Sequence, residues 1–553
     1  MNGFVSSRVE RGGSSSASPQ PAPAAREAGA ALSTGRATGG PADRRRYPSA
    51  AGVFVLLVVA LLAAAPGATQ VRGDEQHLLL SAARANAEGR WVTEGLVGST
   101  GVRYGPLPTQ FYQVALALSP DLRDVVLLRT LACAGVAAAC LWSIGRSLEL
   151  GAAFVGVAMA SPPVWYYLRT PWDNTFVLPL GCALLAAYAG WLRRPTFGKA
   201  VACGALSAAM PLVHLASMAL PLAVAGHALL SRHPARWRFA RAAALGAVLG
   251  CSTSLPYLAT LPAAVVQAFS HRPPVAVVER LEIAAYALRA PELLGAAQAF
   301  VRVPEEGWTT AVSAVAGRLG LAGYAWLAAG VGAGVLARRQ AGVAGEVRRS
   351  MAWVSVASVL LLGAVLSFAR VNWHAHYLCG VYAPVVVLCW MGVDRLWRHP
   401  AARWGLVIVP ATAVLATTVL LAFATHRAGG SPGAFGHSIG SLMQVVDALR
   451  GHAVTYAYTD SGELYLRGNT LAALRWIDAR GATPTAPPPP TGTEVVIRLR
   501  RAFAGDHGLR VDFAPLDPDE RERLFPVSLW STANHPPAGV DAPTGKTFPP
   551  PGL

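Results

Sequence analysis

Apolar runs of about twenty residues recur along this chain, and no other feature limits its fold as tightly. A helix needs about 20 apolar residues to cross the hydrocarbon core of a bilayer. Such runs cover residues 47–66, 124–145, 150–168, 173–192, 199–231, 236–262, 311–337, 351–369, 376–395 and 404–425. The 199–231 run is too long for one span, and Pro211, His214 and Pro221 near its middle predict a tight hairpin of two short helices. About eleven crossings are expected. Only 14% of the 553 residues are charged, against about 25% in ordinary soluble domains. The mean hydropathy is +0.38. A soluble enzyme, a secreted disulfide scaffold and a disordered protein are excluded as whole-chain descriptions. The expected fold class is an all-α polytopic membrane protein with juxtamembrane surface helices and a small extracytoplasmic α/β domain at the carboxyl end.

The net charge of +17 is arginine charge, since lysine occurs only at Lys199 and Lys546. The arginines cluster between apolar runs, at 44–46, 193–194, 232–241, 338–349 and 395–403. Short cytoplasmic loops hold such an excess of cations. That rule puts the amino end inside the cytoplasm and the carboxyl end outside it. A basic face with interleaved aromatics is missing, so nucleic acid is not an expected partner and membrane lipids are. The seven cysteines show no C-x-x-C spacing and read as packing residues, which leaves no zinc or redox site.

Residues 1–46 are rich in Ser, Pro, Ala, Gly and Arg and read as a disordered cytoplasmic segment. The first apolar run reads as a retained helix in preference to a cleaved signal peptide. A transmembrane catalytic domain over 47–426 then carries a first outer loop, 67–123, and a later one, 263–310. Leu78, Ala82 and Ala85 in the first loop recur at helical spacing, as do Val278, Leu281, Ala285 and Leu288 in the other. Both are expected as helices lying on the membrane surface, with Trp91 at the interface. In the extracytoplasmic domain, 427–553, strands are expected at 454–458 and 495–499 with a helix-like 464–479 between them. The proline run 487–490 reads as a linker, ahead of a Pro-rich end.

Carboxylates at bilayer depth are costly and mark coupled transporters. The interiors of the apolar runs contain none, which weighs against proton- or sodium-driven transport. The outer loops hold many acids instead. Asp74-Glu75 follows the first run by a few residues, and Asp173 opens the fourth within Arg169-Thr-Pro-Trp-Asp173-Asn174. Two acids at matched depth are expected to face each other across one cavity at the outer lipid–water boundary. Gly330-x-Gly332-x-Gly334 reads as close helix packing rather than as a phosphate loop. His374 and His376 lack a third ligand at metal spacing, so phosphate binding together with Arg370 is the better expectation.

Several short motifs occur in order: Gly73-Asp74-Glu75, Ala87-Glu-Gly89-Arg-Trp91, Tyr104-Gly105-Pro106-Leu107, Arg129 opening the second run, Asp173, and His376-Tyr377 with Pro384. Together they resemble the GT-C glycosyltransferases, polytopic enzymes that take sugars from polyprenyl-phosphate carriers. Within these, the branch containing protein O-mannosyltransferases, lipid A aminoarabinose transferases and rhizobial lipopolysaccharide sugar transferases is most similar. The likeness covers residues 50–230 well and the remainder by topology.

The resemblance implies a glycosyltransferase moving a sugar from a polyprenyl-phosphate donor to a lipid, glycan or protein acceptor, without a metal or other cofactor. It makes Asp74 the base on the acceptor hydroxyl, with Glu75 beside it and Asp173 as second acid. Arg103, Arg129, Arg169, Arg370, His376 and Tyr377 would meet the lipid phosphate. Two departures stand out: His376 stands where the family has Arg, and Gly105 where the aminoarabinose branch has a lysine, for which Arg103 would substitute. A polymerase or ligase of lipid-linked glycans and a lipid-linked-sugar flippase are the alternatives.

Overall fold

The computed structural model describes residues 47–71, 73–98, 102–231, 233–270, 276–294, 307–339, 342–369, 375–427, 430–431, 436–440, 457–459, 464–466, 495–501 and 509–515. The expected disordered segment 1–46, the proline linker and the carboxyl end therefore lie outside the described residues. The chain divides after Tyr47, and residues 48–553 form one compact unit.

The helices are α1 (Tyr47–Ala63), α2 (Gly73–Ala87), α3 (Leu107–Leu118), α4 (Leu122–Leu148), α5 (Ala153–Met159), α6 (Pro162–Arg169), α7 (Val177–Arg193), α8 (Phe197–Val213) and α9 (Ala219–Leu230). They continue as α10 (Arg236–Cys251), α11 (Leu255–Ser270), α12 (Val277–Tyr286), α13 (Gly307–Leu336), α14 (Val343–Ala369), α15 (Tyr382–Trp397), α16 (Pro400–Ala402) and α17 (Val409–Arg427). Among the described residues, five segments are long and apolar enough to cross a membrane: Leu122–Leu148, Asp173–Arg193, Val343–Phe368, His376–Trp397 and Pro400–Leu420. Four shorter apolar helices join them: Gly52–Ala63, Phe197–Val213, Leu215–Leu230 and Leu321–Leu336. The chain is an all-α polytopic membrane protein in its membrane part. Helices lie at every expected apolar run, but among the described residues five, or six if α10 and α11 are one bent span, are long and apolar enough to cross, against about eleven expected.

Two runs break where single spans were expected. Residues 150–168 split into α5 and α6 because Pro162-Pro163 brings no amide hydrogen to the helix ladder. Ser161, the residue before the pair, is extended at φ −65° and ψ 145°. Residues 236–262 split into α10 and α11, which meet at 94°. The 199–231 run breaks into two short helices as expected, with His214 extended between them; α8 packs mainly on α10 and α9 mainly on α14, so they do not form a closely packed hairpin. Every residue of α15 from Tyr382 to Val393 is buried, so this helix is the central post of the bundle. Its sequence is apolar on all sides, which suits a helix surrounded by others.

Glycines set the closest helix crossings. A methyl group on Gly330 of α13 would overlap the Leu388 carbonyl oxygen of α15, and one on Gly392 would overlap that of Trp326. Gly204 and Gly246 lock α8 to α10 in the same way. Gly332 has open space around it. Gly392→Ala should therefore lower stability by about 1–3 kcal/mol, while Gly332→Ala should leave it unchanged. Thermal unfolding of the two purified variants in one detergent checks this.

The two loop helices differ from each other. Val278 and Leu281 on α12, and Leu288 in the 3-10 turn that follows it, expose their apolar side chains, as expected of a segment at a membrane surface. On α2, Leu78, Ala82 and Ala85 are fully buried. Its stripe packs into the protein against α3 and does not lie on lipid.

Short strands tie the tail to the first loop. β1 (Gln70–Val71) pairs antiparallel with β3 (Gly436–Ser438), which also pairs with β2 (Gly430–Ser431). A second sheet has the order β5-β4-β6-β7, from β4 (Ala457–Thr459), β5 (Leu464–Leu466), β6 (Val495–Arg501) and β7 (Leu509–Pro515). Residues 464–466, expected to begin a helix, form an edge strand instead. Three residues carry no helical period, and pairing with β4 decides their conformation.

Candidate functional site

Four separate connections converge at the end of the bundle where α7 and α15 begin. They are the hairpin ending at Tyr104, the α6–α7 link carrying Trp172-Asp173, the α8–α9 break at His214, and the turn Ala375–Val381 ahead of α15. Their aromatic rings form a chain. The His376 ring lies 4.4 Å from Trp172, 4.3 Å from Tyr377 and 6.1 Å from His214. His214 lies 5.3 Å from Tyr377 and 4.9 Å from Tyr104.

The sequence places these groups through ordinary backbone chemistry. Tyr104 N donates to Leu96 O at 2.7 Å, which closes the hairpin, and Gly105 N donates to Leu212 O at 2.6 Å. A side chain at Gly105 would overlap that carbonyl, so the lysine of the aminoarabinose branch has no room here. His214 Nδ1 accepts the Ala216 amide at 3.3 Å, capping the turn into α9. A neutral ring then carries its proton on Nε2, which donates to the Tyr104 hydroxyl at 3.2 Å. Arg103, half-exposed, pairs with Glu94 at 3.2 Å. The Tyr257 hydroxyl holds its carbonyl at 2.8 Å.

Asp173 opens a 3-10 turn over Asp173–Phe176 and is 2% exposed. Its Oδ1 accepts the Asn174 amide at 2.7 Å. Thr175 Oγ1 braces the same turn against Trp172 O at 2.6 Å and Thr170 O at 3.2 Å. The Asn174 Oδ1 is buried with no hydrogen-bond partner among the described residues.

Arg129 and Arg169 lie beneath this layer and donate to protein acceptors, although the Arg129 Nε is buried with no partner among the described residues. Arg129 is 0% exposed. Its guanidinium donates to Leu168 O and to Thr175 Oγ1, lies 3.4 Å from Tyr167 O, and sits over the Phe176 ring. Arg169 donates to Ala65 O at 2.5 Å and to Thr69 Oγ1 at 3.4 Å, with its guanidinium over Trp165. Burial lowers its pKa to about 10, which leaves it charged at neutral pH. The segment leading into α2 is thus held by Arg169 on one side. On the other it is held by β3 and by the Ile439 amide, which donates to Thr69 O at 2.8 Å.

The paired acids of the first loop divide between two environments. Glu75 is 2% exposed, on the same face of α2 as Leu78, Leu79 and Ala82. Burial pushes the Tyr112 phenol up, with Arg129 opposing and Glu75 adding to the shift, which puts Tyr112 within electrostatic reach of both. Asp74 is described by its backbone alone, one position earlier in the first turn of α2.

Of the residues expected at the site, Asp173, His376 and Tyr377 share the aromatic cluster, and Arg103 adjoins it through Tyr104. Glu75, Arg129 and Arg169 form the buried frame below, and Arg370 and His374 lie outside the described residues. Tyr104, Trp172 and His214 were not expected as site residues. A histidine between two prolines in an otherwise apolar run is the signal that could have found His214. Among the described residues no group of three or more His, Cys, Asp or Glu could hold a metal ion.

No family model matches the chain, and no curated protein matches it. Among solved structures it is similar to ArnT from Cupriavidus metallidurans bound to undecaprenyl phosphate, with a TM-score of 0.47 and 14% identity over 84% of this chain and 93% of that one. The apo state of the same protein gives a TM-score of 0.46 and 16% identity, over 87% of this chain and 95% of that one. At these values no residue role passes from those proteins to this chain.

Proposed function

We propose that the protein is a membrane glycosyltransferase. It takes a sugar from a polyprenyl-phosphate carrier and passes it to a hydroxyl of an envelope lipid, glycan or protein, at the outer face of the cytoplasmic membrane. The observation that carries this reading is the gathering of Asp173, His376, Tyr377 and Tyr104 at one end of the bundle. The anchored segment that leads into Gly73-Asp74-Glu75 adds support. Apolar runs without internal acids favour chemistry at the membrane boundary over ion-coupled transport.

In this mechanism the acceptor oxygen attacks the anomeric carbon while the bond from that carbon to the phosphate oxygen breaks. The hydroxyl proton passes to Asp74, and the polyprenyl phosphate leaves with the bonding electron pair. Asp173, fixed by its own turn, binds sugar or acceptor hydroxyls. The leaving phosphate gathers charge and needs fixed donors at its oxygens. We assign that task to Arg103, Arg370, His376 and Tyr377. Arg129 and Arg169 serve as positioning residues, because their guanidinium groups already bind protein acceptors.

The test is transfer by the purified protein from a panel of labelled polyprenyl-phosphate sugars, set against the matching nucleotide sugars. Product from a lipid donor alone is expected. Product from the nucleotide sugar, or lipid-linked sugar crossing vesicles without transfer, would overturn the reading.

A further inference from the structure

At the far end of α15 from the aromatic rings, the helix ends border a half-open concavity. A cavity of about 190 Å³ is lined by Arg348, Arg395, Arg398, His399 and Met391, with Asp394 on its wall. Asp394 also borders a larger groove of about 300 Å³, walled by Phe154, Trp326, Trp390, Trp397, Val407 and Leu415. One space is cationic, the other apolar, and they share a lining residue.

The cations are unequally engaged. Arg348 caps the end of α4, donating to Leu148 O at 2.9 Å and Glu149 O at 3.3 Å. Arg398 pairs with Asp394 at 2.9 Å. The Arg395 guanidinium is exposed and has no partner among the described residues. Glu149, the other acid nearby, lies 3.9 Å from Arg193. Three guanidinium groups thus line a cavity that holds one carboxylate, and the excess suits an anion.

The groove is built with equal care. Trp326 Nε1 donates to Leu406 O at 2.5 Å, and Trp390 Nε1 donates to Gly151 O at 2.9 Å. Both indoles are buried and tethered by their only donor, so they fix the floor of the groove, while Trp397 is exposed on its wall. Phe154 packs 5.8 Å from each. Leu406 lies in a π-helical turn over Arg403–Ile408, a widening that commonly marks functional sites. A cluster of arginines serving membrane orientation alone would need neither a concavity between them nor an apolar groove beside it.

We propose that this end of the bundle binds an anionic membrane phospholipid. Its phosphate sits between Arg395 and Arg398, and one acyl chain lies along the tryptophan groove. Basic pockets between membrane helices recognise such headgroups, each cation near the surface adding about a fivefold gain. The phosphate supplies the charge that Arg395 lacks, and the attached chain distinguishes a lipid from a soluble phosphate. This inference stands apart from the transferase reading and does not depend on it.

The experiment uses the full chain in detergent micelles, followed by native mass spectrometry and thermal unfolding. The probes are phosphatidylglycerol, phosphatidylcholine and free glycerol phosphate. Phosphatidylglycerol should bind and raise the unfolding midpoint, phosphatidylcholine should bind at least about fivefold more weakly, and glycerol phosphate should do neither. Arg395→Gln, at an exposed and unpartnered side chain, should weaken phosphatidylglycerol about fivefold and phosphatidylcholine less, because the choline cation already cancels the net charge of that headgroup. Ala411→Phe, which fills the groove wall, should reduce the binding of both lipids. Equal binding of the two lipids, phosphatidylglycerol binding undiminished in both variants, or equal protection by glycerol phosphate would overturn the proposal.

Discussion

Asp74→Asn should abolish measurable sugar transfer, with a rate loss of about a hundredfold to ten-thousandfold, while the protein unfolds at the same temperature as wild type. The substitution keeps the shape of the side chain and removes the charge that accepts the acceptor's proton. The neighbouring acid sets the contrast. Glu75 is buried beside a layer that contains Arg129 and Tyr112, so Glu75→Gln should lower the unfolding midpoint as well as the rate. Transfer and thermal unfolding measured on both variants separate the roles. Full activity in Asp74→Asn would end the proposed mechanism, whichever sugar is moved.

Arg129→Met should destabilise the protein by about 3 kcal/mol or more and slow transfer without touching substrate. Methionine fills much of the volume but leaves Leu168 O and Thr175 Oγ1 without their charged donor. Thr175 also braces Trp172 and Thr170, so slack there reaches Asp173 at the head of the same turn. Arg129→Lys should recover only part of the loss, because one ammonium cannot reproduce a planar fork. Denaturant unfolding in detergent, with kcat and KM on the proposed donor, distinguishes a strut from a phosphate ligand. A strut should cost stability with a modest change in KM, whereas a ligand should raise KM at constant stability.

Length and apolarity made the membrane helices legible in the sequence, because a bilayer demands both of any chain that crosses it. The break at Pro162-Pro163 was equally visible in principle, yet the apolar content of 150–168 concealed it. Asp74 and Asp173 drew notice by their place just outside apolar runs, and the structure puts Asp173 in the buried turn that opens α7. Tertiary approach was not legible. Nothing local in Tyr104 or His214 announces a hydrogen bond across 110 positions of chain. Arg129 illustrates the same limit. Its place at the head of an apolar run suggested a phosphate ligand, and only the carbonyls brought up by α6 reveal where its donors go.

The two-residue strand ahead of α2 carries more information than its size suggests. Hydrogen-bonded strands must lie on one side of a bilayer, because no backbone pairing reaches through the hydrocarbon. Val71 pairs with His437. The chain between them must therefore cross the membrane an even number of times, whatever the fate of each short helix. Any count of spans that gives an odd total between α2 and β3 is inconsistent with this sheet. β3 also leaves the ribosome after every helix between it and β1, so the loop that bears Asp74 can complete its base only once those helices have been made.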